Sequence, residues 1–456
     1  MASLAAHRAL LTSWRDRLRS DLWGSVLPFW LDNSIDPLGG YFNNLDDDGA
    51  VFDTTKHIWL QGRQAWMLAR IANTFTDDEV SQYFSAYSPP ARSARAAAGP
   101  AVPALRTRAG MIAAARAGVE FLLKHAIAED GSVYFALTRE GVPLLAQRKP
   151  FSATFLIMAL SEVSKAAGVP EFRLEADKLF DRVLAWAASP GGSGAALGKP
   201  GLPGAPNLAP LNEPMIFLNV STELAAAGPA ADARTYRAPL RARCVEQILS
   251  HVDVPRRAVF ENVSPSGPDL STPAGRLMCP GHAIEAGWFL LDEVCGTGCT
   301  PRDDALVSKA LEVIDIAWES GWDGDLGDGR VGEPARAAAV APLGESSGAG
   351  SGGFIYFRDA GGFQPTQLEA HMKLWWPVAE AMIAFAKALA VTGDAKYVAA
   401  FDRVASWTYS HLVTDKEWFG YAERSGAITH KFKGGPCASS RTRTLSARAV
   451  RTQFDN

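Results

Sequence analysis

Four short strings carry polar side chains whose types and spacing suit proton transfer on a small ligand. In Cys279-Pro280-Gly281-His282-Ala283-Ile284-Glu285, Pro-Gly breaks the chain ahead of a helix, so His282 falls in its first turn. Glu285, three residues on, shares that face. A helix N-terminus disfavours the protonated imidazole, which suits a neutral general base; a histidine capping a buried helix end is the plainer reading. In QLEAHMKLWWPVAE (367–380), Trp375 and Trp376 cannot both face one core, so at least one lines a cavity or a helix junction. An indole ring there is a platform for the apolar face of a sugar. Lys373 precedes the pair, and Glu380 lies beyond Pro377, whose kink is expected to redirect the helix. Core tryptophans with solvated charges are the alternative. Arg63, in WLQGRQAWM (59–67), sits on an apolar and aromatic face and needs an anionic or carbonyl partner, which a structural ion pair would equally supply. Asn219 is a lone amide in PMIFLN (214–219).

These residues must be positioned by helices, because apolar periodicity near 3.6 dominates the chain. Helices are expected near 4–31, 57–75, 110–126, 151–167, 171–188, 212–227, 232–251, 281–297, 302–319, 366–391 and 395–412. Short aromatic segments with Gly or Asp turns fall between them, as in GGYF (39–42), GSVYF (131–135), GFIYF (353–357) and WFGY (418–421), and read as small hairpins. Such recurrence marks a repeat architecture. We expect an all-α (α/α)6 toroid with the hairpins at one rim, closed as a single domain over 1–436. Arg63, Asn219, His282 with Glu285, and Glu380 fall on the second, sixth, eighth and tenth helices. In an alternating toroid these belong to one ring, and if it is the inner ring they converge on one cavity.

Two stretches are foreign to the repeat: 86–109 and 328–352, rich in Ala, Pro, Arg, Gly and Ser, read as disordered surface insertions. GSGAALGK (192–199) imitates a phosphate loop, but Ser193 and Pro200 stand where the pattern requires Gly and Ser/Thr.

The chain has 456 residues, a formal charge of −4 and no Lys/Arg-rich run among its ordered segments, which argues against nucleic acid and for a small neutral partner. Five cysteines fit a reducing compartment, and CGTGC (295–299) lacks further ligands for zinc. The N-terminus carries charges throughout and no run of 18 apolar residues occurs, so no leader or membrane span is expected. The reading is a cytoplasmic protein.

At its motifs the chain resembles the N-acylglucosamine 2-epimerase family. The strings are WLQGRQAWM, FENVSPSG (260–267), PGHAIEAGWFLL (280–291), PTQLEAHMKLWWPVAEAMIAF (365–385), and EWFGYAERSG with KGGP (417–436). The resemblance implies an (α/α)6 barrel and interconversion of N-acyl-D-glucosamine and N-acyl-D-mannosamine at C2 of the open-chain sugar. It implies a homodimer, no metal, no cofactor in the chemistry, and ATP as an allosteric effector. His282 matches one of two catalytic histidines, and Arg63, Glu285 and Glu380 match essential polar residues. Asn219, Lys373, Trp375 and Trp376 are assigned to substrate binding. The related cellobiose 2-epimerases and mannose isomerases share the fold, and a glycoside hydrolase using Glu285 and Glu380 is a rival class.

The resemblance also implies a second histidine and a last inner helix after KGGP. Residues 437–456 contain no histidine and little apolar periodicity. The divergent tail is expected to leave the last inner helix missing or aberrant. A shifted exon boundary is the first explanation, and an inactive sugar-binding isoform is the alternative.

Overall fold

The computed structural model describes residues 2–87, 102–198, 204, 207–228, 235–295, 304–324, 352–431 and 433–434. Each of the eleven expected helices is present: α1 (Ala2–Asp21), α2 (Ile58–Thr74), α3 (Arg108–His125), α4 (Phe151–Ala167), α5 (Pro170–Ala188), α6 (Asn212–Ala227), α7 (Ala238–Ser250), α8 (Pro280–Cys295), α9 (Asp304–Gly321), α10 (Trp375–Thr392) and α11 (Ala395–His411). Past α1 a π-helical turn, Leu22–Val26, leads into a short helix, Leu27–Asn33.

Burial sorts the helices into two rings. Along α5 only Phe172, Ala176, Leu179, Phe180 and Val183 are buried, one stripe at helical spacing. Along α10 nearly every residue from Pro377 to Leu389 is buried, so that helix is enclosed on all sides. The inner helices pack in the order α2–α4–α6–α8–α10. The outer ring closes where α11 meets α1: the Trp14 indole donates to Asp402 at 2.7 Å and the Tyr409 hydroxyl to Asp21 at 2.9 Å. Between the rings, Trp318 of α9 meets Phe385 of α10 edge-on at 5.3 Å. Truncating one such buried aromatic costs about 3–5 kcal/mol, so contacts of this kind hold the rings together. The architecture is an (α/α)6 barrel.

Short strand pairs gather where the inner helices begin. Lys56–His57 enters α2 and pairs with Tyr134–Leu137, which forms a hairpin with Pro143–Ala146. Lys373–Leu374 enters α10 and pairs with Tyr421–Ala422; Leu277–Met278, just ahead of α8, pairs with Arg358–Asp359. The segment at 418–421 thus ties distant parts of the rim together and also opens the expected local hairpin, in which Ala422 bridges Ile428 and the Glu423 N–H donates to the Ala427 carbonyl at 2.8 Å. The segment at 353–357 pairs through Phe354 with Trp322 instead of forming one. The expected hairpins at 39–53 and 131–146 are present.

Three expectations change. The tenth helix starts at Trp375, not near 366, and Pro377 lies in its first turn, where a missing N–H breaks no helical bond. Pro377 thus starts the helix instead of kinking it. A further helix, Asp77–Tyr87, begins with a reciprocal cap in which the Thr76 N–H donates to Glu79 at 2.9 Å and the Glu79 N–H to the Thr76 hydroxyl at 3.2 Å. The stretch 86–109 is consequently shorter than an insertion of that span: Tyr87 closes this helix, Leu105 is buried, and Arg106 pairs with Asp32 at 2.8 Å. Residues 88–101, nearly all of 328–352, and the tail 437–456 with the expected twelfth helix lie outside the described residues. No described helix is long and apolar enough to cross a membrane.

Candidate active site

Because all inner helices begin at one rim, their first turns surround a common space. That space is a cavity of about 690 Å³. Its wall comes from Trp59, Leu60 and Arg63 of α2, Phe151 and Phe155 of α4, and Asn212, Met215 and Ile216 of α6. His282, Glu285 and Phe289 of α8 and Trp375, Trp376 and Glu380 of α10 complete the ring. Six of the eight residues expected at the site are among these.

His282 is held by a neighbour far away in sequence. Its Nδ1 lies 2.9 and 3.0 Å from the two oxygens of Glu261, which fixes the tautomer as Nδ1–H and leaves Nε2 as the reactive nitrogen. Glu261 reaches it because its N–H donates to the carbonyl of Leu277, just ahead of α8. Trp376 lies against the imidazole with ring centres 5.2 Å apart. Burial lowers the imidazole pKa, but Cys279 and Glu261 beside it outweigh that and hold it well above the ordinary histidine value. The expected neutral histidine at a helix N-terminus is thus corrected: carboxylate and sulfur dominate the helix end. Cys279, His282 and Glu261 bring three donor atoms within 4.8 Å of one another. Two ligands of one tetrahedral zinc stand roughly 3.3 Å apart, from bonds of about 2.0–2.1 Å. The closer approach of Nδ1 to Glu261 is that of an N–H···O bond.

Arg63 projects its guanidinium over the Phe155 ring at 4.9 Å and lies 6.0 Å from the Trp375 ring. It makes no hydrogen bond or ion pair with any described residue, so the structural ion pair weighed for it is not formed among them. Glu380 is almost fully buried and accepts a 2.9 Å bond from the indole N–H of Trp288. Glu285 lines the same wall as His282.

Two expected residues do not reach the cavity. Lys373 is fully buried and ion-paired to Asp323 at 3.0 Å. It lies in a strand, where neighbours point to opposite sides, so Leu374 lines the cavity and Lys373 turns away. Asn219 is buried one turn past the last lining residue of α6. His371 and His430, the other nearby histidines, also lie off the wall.

The structure adds residues that the spacing did not single out. His57 lines the cavity from the position just before α2. Tyr356, Glu417 and Trp418 come from the strand-bearing rim, with Glu417 accepting a 2.5 Å bond from the Trp30 indole. A neighbouring space of about 650 Å³ shares Trp59, Phe135, Lys149, Phe151 and Phe155 with the cavity. The arrangement offers a histidine held by a carboxylate, a guanidinium with no ion-pair partner among the described residues, buried carboxylates and indole faces. Such a set suits proton transfer next to a carbonyl whose developing charge the guanidinium can receive.

Comparison with known proteins agrees with this chemistry. The family model described as N-acylglucosamine 2-epimerase (GlcNAc 2-epimerase) matches residues 92–333 and 333–438. The N-acylglucosamine 2-epimerase of Bos taurus is 36% identical over 432 residues, covering 93% of this chain and 87% of the relative. That of Homo sapiens is 35% identical over 434 residues, covering 94% and 87%. Among solved structures, cellobiose 2-epimerase from Bacillus thermoamylovorans superposes with a TM-score of 0.68 at 16% identity, over 96% of this chain and all of that one, a likeness of fold. On this evidence the chain belongs to the N-acylglucosamine 2-epimerase family.

Proposed function

We propose that the protein interconverts N-acyl-D-glucosamine and N-acyl-D-mannosamine, as a carbohydrate 2-epimerase, by moving the proton at C2 of the open-chain sugar. The C1 aldehyde acidifies that proton. His282, with Nδ1 held by Glu261, exchanges it at Nε2, and the electron pair passes into an enolate on the C1 oxygen. Arg63 faces that developing charge. A fixed cationic donor at such an oxygen is worth several kcal/mol of barrier because it needs no reorganisation. Trp375 and Trp376 present ring faces to the sugar, and Glu285 and Glu380 accept from its hydroxyls.

The observation that carries this reading is that Arg63 and His282 line one cavity from α2 and α8, and that among the described residues only the histidine is hydrogen-bonded to a protein partner. Paired carboxylates alone would suit hydrolysis, whereas a guanidinium and a histidine in the same cavity suit an enolate and its proton. A homodimer, an ATP effector and a cytoplasmic setting go with this reading as its finer expectations.

The test is N-acetyl-D-glucosamine in deuterated buffer, followed by NMR. N-acetyl-D-mannosamine should appear with deuterium at C2, and His282→Asn should slow conversion by about 10²-fold or more. A wild-type chain that shows no conversion and no C2 exchange would overturn the reading.

A further inference from the structure

Inversion at C2 passes through a planar enolate, so the proton must return to the face opposite the one it left. A single group on one wall cannot do both. The chain has eight histidines, and only His57 and His282 line the cavity. They stand on opposing walls. The inner helices pack as α2–α4–α6–α8–α10, and in a ring of six pairs α2 and α8 are three places apart. His57 is the residue just before α2, and His282 is the third residue of α8. The offset in height is about 5 Å at 1.5 Å per residue, so both imidazoles sit at the level of the same ligand.

His57 also has unspent capacity. Its Nδ1 is buried and has no hydrogen-bond partner among the described residues, and its ring meets Phe135 edge-on at 5.5 Å. A ring nitrogen buried in this way does not itself meet a ligand, and the other, Nε2, has no partner among the described residues and is left to do so. The fold does not demand a histidine there. At the corresponding station ahead of α10, Leu374 lines the same cavity from the same strand position, following a buried lysine as His57 does.

We infer that His57 is the second proton-transfer group of the epimerisation, serving the face of C2 opposite to His282. The inference rests on the epimerase reading. In one direction neutral His57 takes the C2 proton and the C–H electron pair forms the enolate. Protonated His282 then gives its proton to C2 on the other face as the C1 carbonyl re-forms. The enzyme now holds His57 protonated and His282 neutral, the form that acts on the other epimer, and exchange with water restores the first form. The environments support this division. Burial lowers the pKa of His57, with Asp53 opposing, whereas Glu261 and Cys279 raise that of His282. Two titratable groups driven apart in this way can hold one proton between them.

The experiment uses the full chain with each epimer separately in deuterated buffer, measuring interconversion and C2 exchange by NMR for wild type, His57→Asn, His57→Gln and His282→Asn. Each variant should lose interconversion by about 10²-fold or more. The His57 variants should still exchange the C2 proton of one sugar, and His282→Asn that of the other. This reciprocal pattern cannot arise from damage to the fold, which would remove both exchanges. Interconversion by both His57 variants within roughly threefold of wild type would overturn the inference while leaving the epimerase reading intact. So would exchange of the same sugar by His57 and His282 variants, or loss of both exchanges in both His57 variants. A wild-type chain that neither converts nor exchanges either sugar removes the epimerase reading, and the role of His57 with it.

Discussion

Ahead of α2, Asp36 holds Lys56 at 2.9 Å and Arg139 at 3.0 Å. Ahead of α10, Asp323 holds Lys373 at 3.0 Å and Arg424 at 2.9 Å. In both places the lysine opens a two-residue strand entering an inner helix, and the arginine comes from the turn after the partner strand. The lysines lie over Phe121 of α3 and Trp407 of α11. The same aromatics are approached by the left-handed glycine pairs Gly39-Gly40 and Gly352-Gly353, where a side chain would collide with the ring. One polar joint is thus built twice, and it turns the chain from the rim into an inner helix. The two copies differ at the next residue, His57 against Leu374. The likeness belongs to the fold and the difference to the chemistry.

Breaking the joints should give the largest effect on stability. Removing one partner of a buried ion pair strands the other charge, at about 3–5 kcal/mol. Asp323 also opposes the charge of Arg358, which is buried and whose Nε has no partner among the described residues. Asp36 answers two cations, Lys56 and Arg139, and also accepts from the Leu38 N–H. Asp323→Ala should therefore fall at the upper end of that range and Asp36→Ala at the lower. Denaturant unfolding of both variants decides it. Equal, sub-kilocalorie losses would show that the joints carry no structural weight.

Acid sharpens the same comparison. Burial raises both aspartates, but Arg139 with Lys56, and Arg424 with Lys373, outweigh it and hold each carboxyl below its ordinary 3.8. A carboxyl with a depressed folded pKa contributes stability above its unfolded value and loses it as pH falls through the folded one. Stability should accordingly fall steeply below pH 3.8. Asp36→Asn, which cannot titrate, should flatten part of that slope in a fluorescence-monitored acid titration. An unchanged slope would mean that the Asp36 joint opens before its carboxyl is protonated.

The joints also mark where sequence reading reaches its limit. Helices were legible because apolar periodicity extends over many residues, and Arg63, His282, Glu285 and Glu380 were legible as polar breaks in inner-ring faces. Lys373 was misread as a ligand because a lysine beside two tryptophans gives no local sign of Asp323, which is 50 positions away. His57 sits in a two-residue strand, too short for alternation to show which neighbour faces inward. Glu261 lies 21 positions before His282, and only backbone pairing at the rim brings them together. Long-range pairing of short strands has no periodic signature. The Asp77–Tyr87 helix is a different case, since Thr76 and Glu79 spell its start locally while the Ala/Pro/Arg-rich residues that follow draw the reading towards a loop.

The smallest expected effect bears most directly on the difference between the two copies. His57→Leu makes the station ahead of α2 match the one ahead of α10. Leu374 shows that this geometry accepts leucine, which is close to histidine in size. The substitution also removes a buried nitrogen that bonds to no described residue, and an unsatisfied group of this kind costs about 1–3 kcal/mol. Part of that cost is recovered by the water-facing edge of the ring, because His57 is only partly buried. We therefore expect thermal and denaturant stability to stay level or rise by about 1 kcal/mol, as is common where a site residue is held against the interests of the fold. A loss of more than about 1 kcal/mol, beyond the usual scatter of such substitutions, would make His57 a structural part of its joint and erase the distinction from Leu374.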